Sequence, residues 1–344
     1  MTPFVQEKVS LQPFNSLALP AEAEFFCTVR DREELLAAVQ FAQSRQLVVT
    51  PIGGGSNIVL AANLSGLVVH MDLRGVSHRA VGEVIEVTFA AGENWHQQVH
   101  NCLEQGWYGM ENLALIPGSM GAAPIQNIGA YGVELSDLFV SLNAIDKLSG
   151  EAVEFDRAAC QFGYRDSVFK NAARDRYLIV DITLGLSIRP QINIQYPALQ
   201  AALEQSATSA AEINPELISA MVCQIRRQKL PDPELIPNAG SFFKNPLVTR
   251  GQTDALLQRY PQMPHYCQVN GDSKIPAAWL IEQCGFKGAV RGAVGVHDQQ
   301  ALVLVNHGGA NGTELLELAA ELCEAVKQRF AIELEIEPRV YGAD

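Results

Sequence analysis

The chain has no uninterrupted apolar run approaching about 18 residues, so no membrane-spanning helix is expected. Its first eight residues lack a basic region followed by an apolar core, so no secretory signal is read there. No C-x-x-C occurs among the seven cysteines at 27, 102, 160, 223, 267, 284 and 323, which removes the zinc-ribbon and thioredoxin-type readings. The odd count and wide spacing suit reduced thiols in a reducing compartment, and a cytoplasmic protein is expected. There is no G-x-G-x-x-G and no G-x-x-x-x-G-K-[ST], so the usual dinucleotide fold and the P-loop lose their support. Positive charge is scarce: 25 Lys and Arg stand against 38 Asp and Glu, a formal net charge of −13. Such a chain is a poor partner for nucleic acid or an anionic membrane, so neither is expected. A phosphate-bearing ligand would have to be held locally, against the mean field. No repeat at a period of about 20–50 residues is present, which argues against a solenoid.

What is there reads as an ordinary folded protein, with 48% hydrophobic and 18% charged residues. At about 150 residues per domain, 344 residues imply two domains. Asp31 and Glu34 form a capping pair before a helix whose Leu35, Val39 and Ala42 share a face. Strands are expected at Leu47–Thr50, stopped by Pro51, and at 67–69, 84–89 and 177–186, with a helix over 95–105. This first α+β half closes near Arg189-Pro190. The second half has a helix over 215–229, a strand at 301–305, and a helix capped by Thr313. In the stretch after it, Ile332, Leu334 and Ile336 alternate with Glu333, Glu335 and Glu337, as in a strand with one buried face. Three carboxylates and Arg339 then point one way, and a solvated strand face explains them as well as a site does.

Gly53-Gly54-Gly55-Ser56-Asn57 follows a strand. Glycines allow close backbone approach and an anion-binding concavity of N–H groups, although an ordinary turn explains the same string. Residues 117–132 hold four Gly, three Ala and two Pro in sixteen positions, so their backbone lies against something large and flat, or in a tightly packed core loop. Gln126 and Asn127 within it can read the polar edge of a heterocycle. Arg165, in Gly163-Tyr164-Arg165-Asp166-Ser167, suits a ligand carboxylate or phosphate, or a surface pair with Asp166. Ser241, in Asn238-Ala239-Gly240-Ser241-Phe242-Phe243, is not a G-x-S-x-G nucleophile. As a proton donor it needs a strongly basic acceptor such as an enolate, and a plain strand serine is the alternative. Arg226, Arg227 and Lys229 sit at a helix C-terminus, where the dipole alone accounts for cations and a ligand-phosphate role is the sharper alternative. His96 and His100 have metal-ligand spacing but lack H-E-x-x-H and a third partner, so no metal site is expected.

Taken together, G-G-G-S-N at 53–57, A-G-E-N-W-H at 91–96, the run at 111–132, F-G-Y-R-D-S at 162–167, K-L-P-D-P at 229–233, N-A-G-S-F-F-K-N-P at 238–246 and E-x-E-x-R at 335–339 are distinctive. In that order, the chain resembles the larger (type I) subgroup of the UDP-N-acetylenolpyruvoylglucosamine reductase family, flavoenzymes of peptidoglycan precursor synthesis. The resemblance implies an α+β fold. A vanillyl-alcohol-oxidase-type (PCMH-type) FAD domain would span residues 16–188, and a smaller α+β substrate domain residues 189–337. A final strand over 332–341 would return to the active site.

Non-covalent FAD would contact Gly53, Gly54, Gly55, Ser56, Asn57, Ser119, Gln126, Asn127, Gly129, Arg226 and Arg339. Tyr131, Tyr196, Lys229 and Asn245 would hold the UDP-sugar, with Tyr196 resembling the subgroup's mobile tyrosine. The implied activity is an oxidoreductase acting on a CH–CH group with NADP as acceptor. NADPH reduces FAD, hydride passes to C3 of the enolpyruvyl group, and Ser241 protonates C2. Arg165 stabilises charge growing on the carboxylate, and Glu337 is a neutral donor or proton relay. The implied setting is cell-wall biogenesis, with its links to cell shape, division and cell cycle, and the protein is expected to be a monomer. From the residues alone, an oxygen-using flavoenzyme on the same fold and a non-catalytic nucleotide-sugar binder stay open.

Overall fold

The structure is a computed structural model that describes residues 5–206, 212–268 and 270–343. The chain divides into two compact units, neither of them continuous in sequence. The first comprises Met1–Val9, Ala23–Gly55 and Leu64–Gln228; the second comprises Ser10–Glu22, Ser56–Asn63 and Lys229–Asp344.

The first unit holds two sheets. A four-stranded sheet orders Gln6–Ser10, Glu22–Val29, Leu64–Met71 and Val49–Ile52, the last three pairing in parallel. Helix Arg32–Arg45 buries Leu35, Ala38, Val39 and Ala42. It begins as the sequence suggests: Asp31 accepts from Glu34 N–H at 2.8 Å, and Glu34 accepts from Arg30 N–H at 2.7 Å. Pro51, expected to stop a strand, instead lies inside Val49–Ile52, opposite Val69. That strand is at the sheet edge, where a missing N–H leaves no ladder bond unmade.

A five-stranded antiparallel sheet orders Ala152–Asp156, Phe139–Asp146, Tyr177–Ser187, Val84–Ala90 and Val76–Val81. Its core runs through Phe89, Trp95, Val99, Leu113 and Leu184 and continues to Leu199, Ile218, Val222 and Ile225. Shared burial, not sequence distance, therefore carries this unit as far as Gln228. The small-residue segment is more regular than its composition suggests, because Met120–Gln126 forms a 3-10 helix.

In the second unit an antiparallel sheet orders Asn238–Ser241, Val303–Asn306, Val294–Val296 and Val290–Arg291. Helix Gly312–Phe330 buries Leu315, Leu318, Leu322 and Val326, the face read from sequence. Its cap is Asn311 rather than Thr313. Asn311 accepts from Glu314 N–H at 3.0 Å while Glu314 accepts from Asn311 N–H at 2.9 Å. The expected strand at 332–337 is not continuous. Ile336 makes an isolated bridge to Phe243, and regular strand is confined to Arg339–Tyr341, which pairs in parallel with Ile58–Leu60. Pro338 lies between the two pairings and has no N–H to carry a ladder through.

Candidate active site

In the first unit, the 53–55 loop and the 118–121 segment meet backbone to backbone. A Cβ on Gly53 would collide with Ser119 Oγ, and one on Gly54 would lie 3.0 Å from Gly118 Cα. One on Gly121 would lie 2.5 Å from Ala91 Cβ. Gly121 N–H donates to Ala91 C=O at 2.9 Å, Met120 N–H to Glu93 C=O at 2.8 Å, and Trp95 N–H to Gly118 C=O at 3.0 Å. The glycines are thus spacers that let the 53–55 loop pack on the 118–121 segment, and that segment on Ala91, with only small side chains at the contacts. A surface built this way fits a flat ring system and a pyrophosphate, which need N–H groups and room.

The next stretch is built around Asn127, whose buried amide donates to Glu134 Oε2 at 2.8 Å and to Gly163 C=O at 3.1 Å, and accepts from Ser136 N–H at 2.9 Å. Its side chain ties the 127–136 turn to the Arg165 loop and has one acceptor lone pair left for a ligand. Gln126, half-buried, ends the 3-10 helix just before it. Gly129 begins a short hairpin and accepts from Arg165 Nη2 at 2.6 Å. A Cβ on Gly129 would lie 3.1 Å from Arg165 Nη1, so glycine here leaves space for the guanidinium. Arg165 has φ +53°, a left-handed conformation unusual for arginine. The carboxylate of Asp166 accepts from Ser167 N–H and Asn171 Nδ2.

The two tyrosines come together. The rings of Tyr131 and Tyr196 are 5.2 Å apart, edge to face. The sequence reading missed the residue that joins their loops: buried Asn112 donates to both Tyr131 C=O and Asn193 C=O at 2.9 Å. Asn193 in turn donates to Gly132 C=O at 3.2 Å. Nothing in the local pattern of Glu111-Asn112-Leu113 marks this asparagine, because its partners lie far along the chain. Burial raises the Tyr131 phenol above its ordinary value, with the Arg226 charge acting against it.

Arg226 is half-buried, and desolvation lowers its guanidinium from the ordinary value. Tyr131, Cys223 and Arg165 are its electrostatic neighbours, and it makes no ion pair with a carboxylate among the described residues. A partly desolvated cation without an acid beside it is stabilised by an anion, so Arg226 fits a phosphate-bearing group. His96 and His100 have ring centroids 4.6 Å apart, but His96 Nδ1 is used as an acceptor for Leu115 N–H at 2.9 Å. No group of three or more His, Cys, Asp or Glu among the described residues is placed to hold a metal ion.

In the second unit, Ser241 ends a strand paired with Val303 and precedes Phe242 and Phe243, both fully buried. Buried Asn238 shapes the approach: its Oδ1 accepts from Gly240 N–H at 2.8 Å, and its Nδ2 donates to Pro231 and Ile236. Glu337 N–H donates to Phe242 C=O at 2.9 Å, and Lys244 N–H to Glu335 C=O at 2.9 Å. These bonds set the 335–337 stretch beside the 242–244 stretch that follows Ser241. The three carboxylates read as one face also separate. Glu333 and Glu335 are exposed and pair with Lys327 and Lys244, whereas Glu337 is half-buried.

Arg339 N–H donates to Asn57 C=O at 3.0 Å, which joins Ser56-Asn57 to the final strand. Asn245 Oδ1 accepts from Ala277 N–H at 2.9 Å, and its NH2 has no protein partner among the described residues. Lys229 is the exposed last residue of helix Pro215–Lys229.

Residues 23–156 match the FAD binding domain family, and residues 231–341 match the family described as UDP-N-acetylenolpyruvoylglucosamine reductase, C-terminal domain. The UDP-N-acetylenolpyruvoylglucosamine reductase of Pseudomonas aeruginosa is 46% identical over 340 residues, 98% of this chain and 99% of that protein. The enzyme of the same name from Chromobacterium violaceum is 46% identical over 343 residues, 99% of this chain and 100% of that protein. The crystal structure of UDP-N-acetylenolpyruvylglucosamine reductase from Thermus caldophilus shares the fold, with a TM-score of 0.67 at 22% identity over 98% of this chain and 100% of that one. The α+β class with an FAD-binding domain is therefore the fold of this protein, and its broad chemistry is that of a flavin-dependent oxidoreductase. Matched from end to end by these relatives, the chain belongs to the UDP-N-acetylenolpyruvoylglucosamine reductase family.

Proposed function

We propose that the protein reduces the enolpyruvyl double bond of UDP-N-acetyl-3-O-(1-carboxyvinyl)-glucosamine to give UDP-N-acetylmuramate. FAD, which the 53–57 loop and the 117–132 segment would hold, would supply the hydride chemistry, with NADPH as the ultimate donor and C3 of the enolpyruvyl group as the acceptor. Ser241 Oγ donates the proton to C2 of the enolate-like carboxylate, a base strong enough to deprotonate a hydroxyl. Glu337 relays or donates the proton, and Arg165 stabilises the charge that grows on the substrate carboxylate. The observation that carries this reading is the bond from Glu337 N–H to Phe242 C=O, which sets Glu337 beside the residue that follows Ser241.

The other residues bind and orient. Gly53, Gly54, Gly55, Ser56, Asn57 and Ser119 hold the pyrophosphate side of FAD. Gln126, Asn127, Gly129, Arg226 and Arg339 hold the remainder. Tyr131, Tyr196, Lys229 and Asn245 hold the UDP-sugar, and Asn245 has donors to spare for it. Residues 16–188 are the FAD domain and 189–337 the substrate domain, with the 332–341 stretch supplying Glu337 and Arg339. The protein acts as a cytoplasmic monomer in cell-wall precursor synthesis, and through it in cell shape and division.

Anaerobic stopped-flow absorbance tests the reading. NADPH bleaches the flavin band, and the UDP-enolpyruvyl sugar then restores it. Flavin that NADPH leaves oxidised, or that the sugar leaves reduced, overturns it.

A further inference from the structure

Leu115 has φ +57°, in the left-handed region where a side chain crowds its own backbone. Two side chains from two helices grip its peptide groups. Its N–H donates to Nδ1 of His96 at 2.9 Å, and its C=O accepts from Nε of Arg226 at 3.2 Å. His96 is half-buried near the start of helix Trp95–Glu104, and Arg226 lies near the end of helix Pro215–Lys229. The Leu115 side chain packs on the core, so the residue is anchored on three sides. Pro117, two residues on, opens the small-residue segment whose backbone meets the 53–55 loop.

We propose that His96 is a positioning residue for flavin binding: by accepting the Leu115 N–H it fixes the left-handed turn that aims the 117–132 segment and gives Arg226 its carbonyl. The inference rests on the reading that this segment lies along FAD. To accept, Nδ1 must carry no proton. Protonation puts an N–H against an N–H, and the turn loses its holder. Burial first, then His100, Arg227 and Arg226, lower the His96 pKa and keep it an acceptor near neutrality. His100 is on the same helix, and Arg226 and Arg227 are on helix Pro215–Lys229.

The test is the FAD dissociation constant, read by flavin fluorescence on diluting the holoprotein from pH 5 to 8. At pH 7.5 His96→Ala weakens FAD binding about tenfold, the effect of one buried N–H left unpaired. His96→Asn presents an oxygen near the same place, keeps the neutral-pH affinity, and loses the acid weakening shown by the parent protein. In His96→Ala/Leu115→Gly, glycine adopts the turn without a holder and affinity recovers.

Unchanged affinity in His96→Ala, or acid weakening that persists in His96→Asn, overturns the proposal. So does a double variant that melts like the parent yet binds no better than His96→Ala. If His96→Ala does not fold, the Asn variant still decides. Gly118→Ala separates the two layers of the argument. If it weakens FAD while His96→Ala does not, the positioning role fails; if neither weakens FAD, the flavin reading of the segment fails.

Discussion

The glycine surface of the first unit and the Ser241–Glu337 pairing of the second are built in opposite ways. The first works by removing side chains. Gly53, Gly54 and Gly121 let backbones approach where a methyl group has no room. The second works by delivering side chains. An isolated bridge between Phe243 and Ile336 brings the residues next to Ser241 and Glu337 together from distant positions. The difference separates two needs. Under the proposed function, the first would hold a cofactor of fixed shape by backbone, and the second would move a proton with side chains placed by backbone pairing.

The strongest break in that comparison is Ser241→Ala. It should slow reoxidation of the reduced flavin by the UDP-enolpyruvyl sugar about 10²–10⁴-fold, the usual worth of a positioned proton donor. Reduction by NADPH should be unaffected, because in the proposed reaction the serine acts only on the sugar. Equal slowing of both half-reactions in stopped flow would remove its role as proton donor.

The glycine side is tested by Gly121→Ala against Gly240→Ala. At Gly121 the new methyl meets Ala91 Cβ and Cα, so overpacking of about 1–3 kcal/mol is expected, seen as a lower melting temperature and lost FAD. At Gly240 there is open space, and the cost is that of φ +68° alone, about 1–2 kcal/mol without loss of FAD. FAD loss at 240 equal to that at 121 would blur the distinction between the two regions.

Asn112→Ala removes the donor shared by Tyr131 and Asn193. It should cost about 1–2 kcal/mol and appear as a higher KM for the UDP-sugar with NADPH-driven flavin reduction intact. A changed rate of flavin reduction with unchanged KM would assign Asn112 to the cofactor side instead.

The smallest effect concerns Glu111, whose carboxyl accepts from Gly109 N–H at 2.6 Å and whose pKa is raised by burial. The folded state therefore holds this proton to higher pH than the unfolded state. Its contribution to stability falls as pH rises from about 4.5 through the raised folded value. Glu111→Gln keeps an acceptor and should flatten that slope in thermal melts between pH 4.5 and 7. An unchanged slope would place the titrating group elsewhere.

Much of the architecture was legible because it is local. The Asp31 cap, the buried faces of helices 32–45 and 312–330 and the long strand at 177–187 follow from spacing that neighbours along the chain enforce. Where reading failed, a partner at a distance was responsible. Pro51 is tolerated because its strand is an edge, and the 332–337 run breaks because its pairing shifts from Phe243 to Ile58 across Pro338. Asn112 went unremarked, and His96 was weighed only as a metal ligand, for the same reason, since the hydrogen-bond partners of each are backbone groups of other segments.

By itself the sequence determined the glycine-rich strings, the helix faces, the acidic balance and the family to which the whole belongs. Tertiary structure alone decided which of three alternating glutamates leaves the solvent, which tyrosines face each other, and which histidine holds a strained leucine. The physical reason is range. Backbone freedom and amphipathic spacing are properties of adjacent residues, whereas burial and hydrogen-bond partnership belong to the packed chain.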